Sequence, residues 1–145
     1  MKFSRSHKKR RQRKGAAALE FAVCAPLLFI LTIGTLDLCS MLFLKETITL
    51  ASYEGARRGI GRGNTNQDAK DRVVEFLNER GVVFDDADVV LFTSPGFDTA
   101  DTLENVRVNV RVPIRGNLLI PSAMFNDGLV TASCTMRKEY RNLDP

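Results

Sequence analysis

The chain has 145 residues, 44% hydrophobic content and a formal net charge of +4, which leaves room for one modest domain. That charge is unevenly placed: Met1–Lys14 holds eight Lys or Arg and no acid, whereas the remainder carries 13 basic against 17 acidic residues. His7, the single histidine, lies in the basic tail, so a Ser-His-Asp or Cys-His centre in the body is excluded, and three scattered cysteines without a CxxC indicate neither a metal site nor a disulfide framework.

Residues 2–14 lack the apolar periodicity of a core helix and are expected to be mobile until they meet lipid or protein. A basic tail abutting an apolar run sets membrane topology or touches anionic lipid more readily than it binds nucleic acid, so no nucleic-acid partner is expected. The run itself is Gly15–Leu36, GAAALEFAVCAPLLFILTIGTL. From Ala16 onward it makes a helix of about 31 Å at a rise of about 1.5 Å per residue, close to the hydrocarbon thickness of a bilayer. Apolar residues continue through Met41–Leu44, too far for a short secretory signal. Neither Cys24 nor Cys39 follows the small residues that a lipoprotein signal requires. By the positive-inside rule the tail stays in the cytoplasm and everything after about residue 45 lies on the outer face, which in a Gram-negative cell is the periplasm.

Glu20 is the anomaly, because an acid inside a spanning helix costs a few kcal/mol unless it reaches the interface or a partner. Pro26 cannot donate to the Ala22 carbonyl and should bend the helix, although proline is common in membrane helices. Asp37, about 31 Å from the start of the span, is expected at the outer membrane interface, where an acid costs little.

The basic cluster, Gly15, Ala16-Ala17-Ala18 and Glu20-Phe21 in one register resemble a class III signal of the type IV pilin superfamily. That resemblance implies cleavage by a prepilin peptidase between Gly15 and Ala16, with the acid at the fifth mature position. The wording ALEFAVCAPLLFILTIGTLDL is similar to the TadE-like pseudopilins of tight-adherence (Flp) pilus systems, through Glu20-Phe21, Ala25-Pro26 and Asp37. Phe21 stands where many of the superfamily carry tyrosine. The family implies roles for Glu20 and Phe21 in processing and assembly, and partners among other pilins or pseudopilins and the inner-membrane assembly platform, besides the lipid bilayer.

Beyond Asp37, the positions Met41, Leu44, Ile48, Ala51 and Gly55 keep a helical rhythm, so the helix is expected to leave the membrane as an amphipathic rod running to about Arg58. Gly59, Gly61 and Gly63 end it, and without a preceding strand or a following Lys-Ser/Thr they form a hinge, not a phosphate loop. Thr65-x-x-Asp68 starts a short amphipathic helix carrying Ala69, Val73, Phe76 and Leu77 on one face, which Gly81 stops. Val82–Phe84, Val89–Phe92, Asn105–Val112 and Leu129–Arg137 read as strands, the third the clearest because Val106, Val108, Val110 and Val112 alternate with Arg107, Asn109 and Arg111. Ile114–Phe125, bounded by Pro113 and interrupted by Pro121, reads as an irregular connection. The fold class is therefore α+β: a pilin-like long N-terminal helix packed on a small, mainly antiparallel three- or four-stranded sheet.

The expected organisation is a leader at 1–15, a transmembrane helix at 16–44, a helix extension with its glycine hinge at 45–63, and a periplasmic domain at 64–145. Acids gather at Asp85, Asp86 and Asp88 and at Asp98, Asp101 and Glu104, but neither group follows the calcium-loop spacing, and solvated turns are the better reading. No cofactor, metal or enzymatic activity is expected. The function implied is that of a minor pseudopilin in the assembly or initiation of a Flp-type pilus. The alternative is an uncleaved single-pass protein whose outer domain binds a ligand or scaffolds an envelope complex.

Overall fold

A computed structural model describes residues 8–86, 89–93, 95–118 and 128–140, with side chains from residue 15 onward. Two helices, α1 (Lys8–Gly59) and α2 (Asn66–Glu79), precede three strands, β1 (Val90–Phe92), β2 (Asn105–Pro113) and β3 (Leu129–Arg137). The strands form one antiparallel sheet in the order β1-β2-β3. Val90 pairs with Val110 at one side of β2, and Val110 with Ala132 at the other. The architecture is the expected α+β arrangement of a long helix on a three-stranded antiparallel sheet.

Helix α1 begins earlier than the apolar rhythm indicates. It includes Lys8–Lys14, a stretch of Lys, Arg and Gln, all good helix formers, so the expectation of an unstructured tail is corrected from residue 8 onward. Residues 1–7 lie outside the described part. At the far end the helix stops at Gly59, where the glycines begin.

One stripe of α1 is covered by the rest of the domain. It runs from Asp37 through Leu44, Ile48, Ala51, Ser52, Gly55 and Ala56 to Gly59, the three-and-four stepping that keeps residues on one helical face. The apolar face of β2, with Val106, Val108, Val110 and Val112 all fully buried, packs on it together with Ala132 of β3. Alternation on β2 follows from strand geometry, which sends successive side chains to opposite faces.

Helix α2 lies against the small-residue segment of α1. A Cβ at Gly55 would strike the Val73 side chain and come within 3.1 Å of the Ala69 carbonyl oxygen, so glycine is what lets the two helices approach. Thr65 caps α2 in a full capping box: its side chain accepts from the Asp68 N–H, and its own N–H donates to the Asp68 carboxylate at 2.8 Å. At the other end Gly81, with φ of +64°, closes the helix. The Gly81 N–H donates to the Asn78 carbonyl and the Val82 N–H to that of Leu77, a Schellman closure.

The strand expected at Val82–Phe84 is absent. Its backbone groups are already taken: Val82 N–H closes the helix, and the Asn117 side chain accepts from Val83 N–H at 2.8 Å while donating to Val83 carbonyl at 2.7 Å. Asn117 also donates to the Pro113 carbonyl at 2.7 Å, clamping two loops together. In the Ile114–Phe125 connection, residues 114–118 form a turn and the rest, Pro121 included, lies outside the described residues.

Candidate functional site

The candidate site is the uncovered part of α1 and its junction with the domain. Between Gly15 and Leu36 the helix is almost wholly exposed, with Leu19, Phe21, Leu27, Phe29, Ile30 and Leu31 each more than half accessible. A surface this apolar is incompatible with water as its neighbour. It belongs to the single helix, among the described residues, that is long and apolar enough to cross a membrane, and none of its most apolar window is buried within the chain. The hydroxyls on this stretch are satisfied internally: Thr32 donates to the Leu28 carbonyl at 2.8 Å, Thr35 to that of Thr32 at 2.8 Å and Ser40 to that of Leu36 at 2.9 Å. Such back-bonding removes the cost of carrying hydroxyls into hydrocarbon.

The residues singled out in the sequence fall on this helix in different surroundings. Gly15 and Ala16 are exposed and helical, and a Cβ at Gly15 would meet nothing within 4 Å. Glu20 and Phe21 are adjacent and exposed, on a surface with no intramolecular cover. Pro26 sits inside the helix, which continues on both sides of it. Asp37 differs from the others. It is only 8% exposed and opens the covered stripe; among the described residues its Oδ1 finds no hydrogen-bond partner.

Asp37 also marks where the covered stripe begins. The apolar run 15–36 measures about 33 Å at about 1.5 Å per residue, close to bilayer thickness, and Asp37, the first buried residue of the covered stripe, follows it directly while Leu38, Leu42 and Phe43 stay exposed on other sides of the helix.

A second constellation escaped the sequence pattern. Phe97, fully buried, lies against Gly59, where a Cβ would strike its ring. Its N–H donates to the Asn66 side chain at 2.7 Å, and the Asn66 N–H donates to the Asp98 carboxylate at 3.1 Å, so the 96–98 loop is latched to the start of α2. An acid there also complements the positive end of the helix dipole. Lys138, fully buried, donates from Nζ to the Phe97 carbonyl. Burial pushes the Lys138 ammonium below the usual lysine range, while the Asp98 carboxylate acts in the opposite direction. The only signal in the sequence was a phenylalanine in a polar loop. Two of the acids gathered near it act as local hydrogen-bond acceptors, Asp98 for Asn66 and Glu104 for the Asp101 N–H at 2.9 Å. Of the other acidic group, Asp85 and Asp86 are exposed and Asp88 lies outside the described residues.

An open groove of about 940 Å³ between α1 and α2 is lined by Glu54, Arg57, Arg58, Asp68, Asp71 and Arg72 among others. Arg72 spans it, 2.8 Å from Glu75 and 3.8 Å from Glu54, and these partners raise its affinity for the proton. Solvent-accessible pairs of this kind, Arg72 and Glu54 half-buried and Glu75 exposed, contribute little to stability.

Residues 15–57 match the sequence model of the family described as TadE-like protein. The matched stretch is the bare helix plus most of the covered stripe of α1, ending two residues short of the helix end at Gly59. No curated protein and no solved structure matches the chain.

Proposed function

Taking the TadE-like helix as premise, we propose that the chain is a minor pseudopilin that acts, without enzymatic activity, in assembling or initiating a Tad (Flp) pilus for surface attachment. The helix is anchored in the inner membrane with its basic end in the cytoplasm and the α+β domain in the periplasm. A prepilin peptidase cuts between Gly15 and Ala16, and the helix then packs with other pilins or with the assembly platform. The observation that carries this reading is that the segment matching the TadE-like model, 15–57, contains the helix stretch that, among the described residues, is long and apolar enough to cross a membrane and is left uncovered by the domain. Cutting after Gly15 would place a new α-amino group at Ala16, one helical turn from Glu20 in the i,i+4 relation, giving the exposed carboxylate a partner of opposite charge.

A second reading has its own support. Helix α1 runs through Gly15 from Lys8 without interruption, as in an uncleaved single-pass protein whose domain scaffolds an envelope complex or binds a ligand. Glycine in a helix interior costs about 1 kcal/mol relative to alanine, which eases local unwinding for a peptidase but does not require it. Sequencing the mature amino terminus from cells with an active prepilin peptidase separates the two. Processing yields an end at Ala16 that disappears in Gly15→Ala, whereas an intact Met1 refutes the pseudopilin reading.

A further inference from the structure

The two outer faces of the domain carry opposite charge in matching spacing, and from this we infer that the open sheet face docks the α2 helix of a second copy of this chain. The inference rests on the reading of the chain as a subunit that meets neighbours, and names the surfaces involved.

On the sheet face turned away from α1, β2 presents Arg107, Asn109 and Arg111, and β3 presents Thr131, Ser133, Thr135 and Arg137. All are exposed except Asn109, which is half-buried. No acid stands among the outward positions of these two strands; Glu104 and Glu139 lie beyond the strand ends. Arg107 is held in place, donating from Nε to the Thr135 hydroxyl at 3.0 Å. Lys45 reaches from α1 to the Thr131 carbonyl and adds its cation to that of Arg111 in a cleft of about 350 Å³ beside Asn109 and Ser133. Among the described residues the ion pairs belong to Arg72, and none of the described carboxylates stands at ion-pair distance from these cations.

On α2, Asp71, Glu75 and Glu79 step by four along the exposed face, opposite the buried Ala69, Val73, Phe76 and Leu77. Glu75 shares its charge with Arg72, and Asp71 accepts from the Gln67 amide at 2.7 Å, leaving Glu79 the most open of the three. From Asp71 to Glu79 the ridge measures about 12 Å at a helical rise of about 1.5 Å. Arg107 and Arg111 stand about 13 Å apart at a strand rise of about 3.3 Å. A helix laid along β2 therefore meets arginines near both ends of its acidic ridge.

The two faces belong to different sides of one subunit, so the contact is head-to-tail and can propagate from copy to copy, giving an open filament where its rotation does not close a ring. Charge complementarity of this kind fixes register and speeds encounter.

The test uses sedimentation velocity on the full-length chain in zwitterionic micelles, where neither cleavage nor a pilus is needed, so its failure is separate from failure of processing. Self-association is expected at about 50 mM salt and to weaken at least tenfold at about 500 mM, as screening shortens. Arg107→Glu with Arg111→Glu, and separately Asp71→Lys with Glu75→Lys, should each weaken it at least tenfold while circular dichroism stays unchanged; the milder Arg107→Gln with Arg111→Gln serves if a reversal disturbs folding. Mixing the two reversed chains should restore association, because each then offers the face the other needs. Association equal in all variants runs through the apolar helix and overturns the proposal. So does loss on reversing the sheet alone, which assigns the arginines to a different anion, or failure of the mixture to recover.

Discussion

The α1–α2 contact turns on a single hydrogen atom at Gly55. In an open helix, Gly→Ala stabilises by about 1 kcal/mol because alanine loses less backbone freedom on folding. At Gly55 the new methyl would strike the Val73 side chain and stand 3.1 Å from the Ala69 carbonyl oxygen. Val73 is fully buried with little room to rotate, and the carbonyl is backbone that no rotamer change can move. Overpacking of this kind costs about 1–3 kcal/mol, and displacing α2 puts the change toward the upper end. We expect Gly55→Ala to destabilise the domain by a net of about 1–2 kcal/mol, a factor of about 5–30 in the folded-to-unfolded ratio. Hydrogen exchange at the Val106, Val108 and Val110 amides of the full-length chain in micelles measures this, since these sit in the central strand and open with the whole domain. Combining Gly55→Ala with Val73→Ala should cost less than the sum of the two, with a coupling of about 1 kcal/mol. Slower exchange in Gly55→Ala, or strict additivity in the pair, would refute the close crossing.

Two further outcomes follow from the loops. Thr65→Ala removes the α2 cap and should cost about 1 kcal/mol, read as faster exchange in the first turn of the helix. The bonds from Thr65 hold the Asp68 carboxyl below its ordinary value of 3.8, so their contribution is present above that pH and is lost as pH falls through the lowered value; a Thr65→Ala comparison across pH 2–5 should show the difference shrink at the acid end, leaving the part due to the cap bond from the Asp68 N–H. Lys138→Met strands the Phe97 carbonyl in the core, at a cost of about 1–3 kcal/mol. With the buried ammonium's pKa lowered, the unfolded chain binds more protons below 10.5, so wild-type stability gains with rising pH toward that value and the variant should lack this gain. The Cys134 thiol, pushed up by burial, contributes the opposite slope to both chains and cancels when their unfolding midpoints are subtracted.

Local patterns were enough for much of this architecture. The step of three and four from Met41 to Gly55 located the stripe that the domain covers, the Thr65-x-x-Asp68 spacing located a real capping box, and strict alternation located β2, because each depends on residues within a few positions of one another. The failures have a common cause. Val82–Phe84 has the composition of a strand, but the side chain of Asn117, more than 30 residues away, claims its backbone. Phe97 carries no local pattern that marks it, yet α1, α2 and Lys138 converge on it from three distant parts of the chain.

The same division holds for the candidate site. That an apolar run begins at Gly15, carries an acid at Glu20 and is long enough to cross a bilayer was decided by the linear order of residues, since length, hydropathy and charge along one helix need no tertiary contact. Where the domain begins to cover that helix was not. Asp37 reads as an interface acid in the sequence because hydropathy cannot tell which side of a helix a neighbouring domain will cover. Only packing turned its carboxylate inward at 8% exposure and made it the first buried residue of the helix among those described. Packing likewise placed the arginines of β2 and the acids of α2 on different faces, since every charged residue was legible in the sequence while the direction of each face depended on what the opposite face buried.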